Sequence, residues 1–124
     1  TDQHYLKLAR TFTDYCRRHK TLSIINDRVD IAILSEADGV HLGQNEISAE
    51  DARKLAKRPL MVGVSTHNKN ELLAAIKTNC DYVGIGPAFP SPTKPDLEVA
   101  GLGYIQEALE VLNGKNIFHT RCTR

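Results

Sequence analysis

The sequence predicts an α/β fold built on a parallel sheet, on two observations. The candidate strands are nearly continuous runs of Val, Ile, Leu and Gly, without polar–apolar alternation. Such strands are covered on both faces, as in sheets with crossover helices. Strand-like and helix-like segments also alternate, at about twenty residues per unit, near the shortest spacing of compact βα units.

The elements follow in order. YLKLARTFTDYCRRHK sets Tyr5, Leu8, Ala9, Phe12 and Cys16 at helical spacing, which predicts a helix with that face buried. TLSIIN reads as the first strand. RVDIAILSEA reads as a helix closed by Asp38-Gly39, with Gly39 suited to a left-handed C-terminal position. GVHLG is the second strand. SAEDARKLAKRP opens on Ser48 with Asp51 three residues later, a capping-box pattern, and Pro59 stops it. LMVGVST is the third strand. NKNELLAAIKTN repeats the cap signature with Asn68 and Glu71. YVGIGPAF is the fourth strand. GLGYIQEALEVL closes the series, with Leu102, Ile105, Leu109 and Leu112 on one face. NIFHT could begin another strand, but its basic, polar end breaks the pattern.

Four βα units make half of an eight-fold barrel, which needs about 200 residues or more when complete. A small doubly wound domain answers the same pattern. No Pro/Ser-rich linker divides the chain, so one domain is expected. The chain opens on Thr1, and its spacing reads as the middle of something longer.

Composition narrows the function classes. A formal net charge of +1 with interspersed acids and bases offers no basic stripe for nucleic acid. No apolar run approaches the roughly 18 residues of a membrane span, and the polar opening does not read as a signal peptide. Cys16, Cys80 and Cys122 lie far apart with no C-x-x-C pair. They read as reduced thiols in a cytoplasmic protein.

In parallel α/β folds the active site lies at the C-terminal ends of the strands. The first strand here is followed by Asn26 and Asp27, and the second by Gly43, Gln44, Asn45 and Glu46. The third ends in Ser65, Thr66 and His67, and the fourth in a loop with Ser91, Thr93 and Lys94. In a barrel these ends would converge. Asp27 and Glu46 suit Mg²⁺, which takes one or two carboxylates and completes its shell with phosphate and water. Ser91, Thr93 and Lys94 are groups that hold a phosphate. Gly84 and Gly86 permit close approach of a ligand. Each feature has an ordinary reading too. Asn26-Asp27 and Ser65-Thr66 could be helix caps, Glu46 a solvated loop acid, and PSPTKP a rigid loop. His41 reads as structural, and His67 is open. Recurrence at four strand ends favours a magnesium–phosphate site.

Five blocks, IINDRVDIAI, ADGVHLGQ, VGVSTH, DYVGIGPAFPSPTK and the trailing AGL, together resemble the thiamine-phosphate synthase (thiamin phosphate pyrophosphorylase) family over about residues 5–112. The resemblance implies a single partial (β/α)8 TIM-barrel domain over 1–124, with about four βα units present. It implies a transferase that joins 4-amino-2-methyl-5-hydroxymethylpyrimidine diphosphate to a thiazole phosphate, releasing diphosphate. Residue by residue, it implies that Asn26 contacts the diphosphate. Asp27 is a magnesium ligand, and Glu46 stands where the second belongs. Ser65 contacts the pyrimidine. Ser91, Pro92 and Thr93 bind the thiazole phosphate, and Lys94 binds the diphosphate. It implies small-molecule substrates, no nucleic acid and no membrane, and it leaves open a homo-oligomer of a full-length parent.

The sequence also departs from the family. Glu46 replaces the usual Asp, in GQNE. The family's Gln-Leu-Arg-x-Lys-type segment and later glycine-rich loops are absent, and NIFHTRCTR reads as a truncated or frameshifted tail. The isolated chain is therefore expected to be inactive or nearly so. Two other readings compete: a thiazole tautomerase on the same fold, and a non-catalytic phosphate-binding or interaction half-barrel. The exposed strand edges of a half-barrel favour the last.

Overall fold

A computed structural model describes residues 1–93, 95, 96, 98–113 and, as backbone, 118–121. The chain divides into two compact units, Thr1–Gly63 and Val64–Arg124.

The first unit contains helix α1 (Asp2–Arg18), strand β1 (Ile24–Asn26), helix α2 (Val29–Leu34), strand β2 (Gly39–Leu42) and helix α3 (Ala49–Ala56). It also contains the first half of strand β3 (Met61–Thr66), and its strand order is β1-β2-β3. β1 and β2 run parallel, with Ile24 opposite Gly39 and Asn26 opposite His41. Ile25, Val40, Leu42 and Val62 are buried, as the unbroken apolar runs predict. Each such side chain contributes about 1.5–3 kcal/mol relative to exposure.

Two details of this unit differ from the reading of the sequence. On α1 the buried side chains are Ala9, Thr13 and Cys16, while Leu8 and Phe12 remain 55% and 46% exposed. Spacing alone locates an apolar stripe but not the partner that covers it. After α2, the left-handed residue is Glu36 (φ 58°), not Gly39. Gly39 serves packing. A Cβ there would lie 2.6 Å from the Met61 carbonyl oxygen and 2.8 Å from Ile24 Cδ1.

The second unit contains the end of β3, helix α4 (Lys69–Lys77), strand β4 (Tyr82–Ile85), helix α5 (Gly101–Leu112) and strand β5 (Phe118–Arg121), with strand order β3-β4-β5. The presence of β5 corrects the expectation that the tail breaks the pattern. It pairs parallel with β4, Tyr82 opposite Phe118 and Ile85 opposite Arg121. A parallel ladder is made by backbone groups, so polar side chains do not forbid it. The core packs Leu72 and Ala75 of α4 and Val83 and Ile85 of β4 against Tyr104, Ile105, Ala108 and Leu112 of α5. Leu102, expected on the buried face, is 66% exposed and Leu109 is only partly covered. Tyr104 and Ala108 are buried in their stead. The Pro87 carbonyl accepts from the Ala100 and Gly101 N–H groups (3.0 and 3.2 Å), satisfying donors at the start of α5 that no side chain caps.

Helix caps follow the predicted punctuation. Ser48 Oγ accepts from Asp51 N at 3.1 Å, and Asn68 Oδ1 accepts from Glu71 N at 2.9 Å. No described helix is long and apolar enough to cross a membrane.

Candidate functional site

Five non-glycine residues among those described adopt positive φ. Four of them end helices: Lys20 after α1, Glu36 after α2, Lys57 after α3 and Asn79 after α4. That is the ordinary left-handed helix stop. The fifth, Asp27 (φ 63°), follows a strand. Arg28 N donates to the Asn26 carbonyl at 2.7 Å, closing a three-residue turn around it. Positive φ at the centre of such a turn is rare and strained, and Asp tolerates it better than most residues. The turn is held at several points. Asp27 N donates to the His41 carbonyl at 2.8 Å, and Tyr5 Oη donates to the Asn26 carbonyl at 3.3 Å.

Arg28 is committed to this support. It makes a two-pronged contact with Asp30 (2.9 and 2.7 Å) and another with Asp2 (2.9 Å), and its guanidinium lies 6.0 Å from the Tyr5 ring centroid. The hydrogen bond from Arg28 holds the Asp30 carboxyl below its usual range. Asp30, with Asp2, pushes the guanidinium further towards its charged form. The side chain beside Asp27 is thus a strut, engaged with two carboxylates.

At the end of β2, Glu46 N donates to the Gly43 carbonyl at 3.3 Å, and this turn brings Glu46 back over Gly43. A Cβ on Gly43 would lie 3.7 Å from Glu46 Cγ and 4.0 Å from Asp27 Oδ1. The space beside Gly43 is thus bordered by the Glu46 side chain and the Asp27 carboxylate. Among the described residues no group of three or more His, Cys, Asp and Glu gathers in metal-holding geometry. Two carboxylates suit a magnesium ion whose remaining ligands are phosphate oxygens and water. They do not suit a structural zinc, which wants four nitrogen and sulfur donors. Asn26 is exposed beside Asp27.

The second unit carries the other predicted residues. Val64 packs with the helix-side core, and Thr66 Oγ1 bonds Tyr104 Oη of α5 and donates to the Gly84 carbonyl at 2.9 Å. By strand alternation Ser65, half-buried, lies on the opposite face of β3. Burial raises the Tyr104 hydroxyl above its ordinary range, partly offset by the bond to Thr66. Beyond β4, Ser91 Oγ and Thr93 Oγ1 lie 3.2 Å apart, with Pro92 exposed between them. Lys94 lies outside the described residues.

The sequence alone did not single out three parts. Gly43 stands in the sequence only as one member of a polar cluster. Tyr5 and Arg28 support the Asp27 turn from 22 residues away and one residue away, which no local motif announces. Glu71, read as a cap, reaches His67 as well, with Oε2 accepting from the His67 backbone N–H at 2.7 Å and lying 2.8 Å from ring Nδ1.

The thiamine monophosphate synthase family profile matches residues 1–119. The chain is similar to the thiamine-phosphate synthase of Thermosynechococcus vestitus, 48% identical over 107 residues, which are 86% of this chain and 30% of that protein. It is also similar to that of Prochlorococcus marinus subsp. pastoris, 40% identical over 112 residues, 90% of this chain and 32% of that protein. Among solved structures it is similar to the thiamine phosphate pyrophosphorylase from Pyrococcus furiosus, with a TM-score of 0.84 and 30% identity. That match covers 98% of this chain and 56% of the other. The predicted α/β class holds, as part of a TIM-barrel-like fold. The chain spans about a third of the length of the curated relatives it matches.

Proposed function

The chain belongs to the thiamine monophosphate synthase family, and from that premise we propose that it serves thiamine biosynthesis as a partial barrel domain. It binds a pyrimidine diphosphate and a thiazole phosphate and takes part in joining them to thiamine phosphate, with release of diphosphate. The observation that carries this reading is that two acidic side chains, Asp27 through Oδ1 and Glu46 through Cγ, come to the same place beside Gly43. These two would hold Mg²⁺, which when bound neutralises charge on the departing diphosphate.

The chain's own residues supply the rest. The Asn26 amide donates to the diphosphate, and Lys94 adds a positive charge there. Ser65 holds the pyrimidine. The Ser91 and Thr93 hydroxyls, 3.2 Å apart, can both reach one phosphate group. In a dissociative reaction the diphosphate leaves first and the thiazole nitrogen captures a pyrimidine-methyl cation. Little covalent work falls to the protein, and holding the two substrates in line supplies much of the acceleration. The reading is of a cytoplasmic enzyme acting on small molecules. Cys16 and Cys80, which are buried thiols, support a reducing compartment.

The test is calorimetric titration of the chain with the pyrimidine diphosphate, with and without MgCl₂. Saturable, magnesium-dependent binding is expected, with a sharply raised magnesium requirement in Glu46→Gln. Absence of binding at millimolar ligand and magnesium overturns the reading. An unchanged magnesium titration in Glu46→Gln removes that residue from the site.

A further inference from the structure

Glu71 does more than cap α4. In a capping box the acid three residues after the cap reaches back to the N–H of the cap residue itself. Here the Glu71 N–H bonds Asn68 Oδ1, but the carboxylate passes Asn68 and goes to His67. One oxygen, Oε2, meets both the His67 backbone N–H and the ring Nδ1, at 2.7 and 2.8 Å. The two side chains are 27% and 26% exposed, so the pair is largely shielded from water.

The chemistry of that contact fixes the ring. A carboxylate is an acceptor only. The nitrogen facing it must therefore carry the proton, and whenever the ring is neutral Nε2 on its far edge keeps its lone pair. His67 directly follows β3, two residues after Ser65, at the strand end where α/β folds build their sites.

We propose that Glu71 is a positioning residue that holds His67 as the Nδ1–H tautomer, so that Nε2 accepts a hydrogen bond from an N–H group of the ligand bound at the end of β3. This rests on the functional reading above, in which Ser65 holds the aminopyrimidine. The donor is then the exocyclic amine of that ring. As positive charge spreads into the ring, its N–H becomes a stronger donor, so the bond tightens as diphosphate departs. No proton needs to be transferred.

Two measurements test the proposal. The first uses the ligand-free chain and reads the imidazole ¹⁵N shifts of His67 by long-range ¹H–¹⁵N correlation near neutral pH. Nδ1–H is expected in the wild type, with a shift towards Nε2–H in Glu71→Ala. Glu71→Gln, which keeps an acceptor oxygen, is expected to restore much of the Nδ1–H form. Nε2–H in the wild type, or an Nδ1–H ring unchanged in Glu71→Ala, overturns the positioning role. The second compares binding of 4-amino-2-methyl-5-hydroxymethylpyrimidine diphosphate with MgCl₂ to the wild type and His67→Ala. A loss of about tenfold is expected for one hydrogen bond in a shielded site. Equal binding by the two proteins overturns the acceptor role. A wild type that binds none refutes the functional reading and the amine as ligand. The tautomer measurement still decides the relation of Glu71 to His67.

Discussion

Ser23 and Asp38 clasp each other where β1 and β2 begin. Asp38 Oδ2 accepts from Ser23 N at 2.8 Å and from Ser23 Oγ at 3.0 Å, and Ser23 Oγ accepts in return from Asp38 N at 3.1 Å. The Ser23 carbonyl then takes the Gly39 N–H at 3.0 Å. The clasp sets the register that puts Asn26 opposite His41, and so determines where the turn at Asp27 begins.

Removing either partner should therefore cost more than one exposed hydrogen bond. Ser23 is fully buried, so Ser23→Ala leaves the Asp38 N–H without its acceptor. The expected loss is about 1–2 kcal/mol, and a similar loss is expected for Asp38→Ala. Because the two share bonds, the double variant should lose less than the sum of the singles. Urea unfolding of the four proteins gives the coupling, expected to be at least about 0.5 kcal/mol. Strict additivity would show that the clasp is not cooperative.

The alkaline limb of stability should report two tyrosines. Burial raises Tyr82 and Tyr104 above the ordinary 10.0, and for Tyr104 the bond to Thr66 only partly opposes it. The fold thus prefers both hydroxyls neutral. Their contribution is fully present below the unfolded value and is lost as pH rises through the raised folded values. Stability should fall as pH rises above about 10, and less steeply in a Tyr82→Phe/Tyr104→Phe variant. That variant starts from a lower plateau, because Thr66 loses a partner. An identical slope in both proteins would mean that other groups govern the alkaline limb.

Much of this was legible in the sequence where the signal is local. Ser48–Asp51 and Asn68–Glu71 announce their helices by spacing, and the caps form as read. The unbroken run LMVGV announces a strand covered on both faces, and Val62 is fully buried. What was not legible depends on partners distant in sequence. Leu8 and Phe12 have the right period for a core, yet Ala9, Thr13 and Cys16 face it, because the neighbours of α1 decide which stripe is covered. NIFHT could be read as the start of a strand, but its continuation to Arg121 could not, because pairing with β4 is a backbone matter that the basic, polar sequence does not announce. At the candidate site, residue types at strand ends were readable. The strain at Asp27 and its support by Tyr5 and Arg28 were not, since φ is not encoded by any single motif.

That strain makes the role of Asp27 separable from its structure. Asp and Asn both tolerate the left-handed region, whereas Ala there costs about 1–2 kcal/mol. Asp27→Asn should therefore fold with nearly wild-type stability, while Asp27→Ala should unfold at lower urea. Only the wild type should be stabilised by MgCl₂ with inorganic diphosphate, by about 2.7 kcal/mol at a hundredfold excess over Kd. Withdrawing the metal with EDTA should return the wild type to the level of Asp27→Asn. Thermal unfolding of the three proteins, with and without the two ligands, makes the comparison. If Asp27→Asn gains as much from magnesium and diphosphate as the wild type does, the carboxylate at position 27 does not hold the metal. The turn would then be strained only to shape the backbone around Asn26.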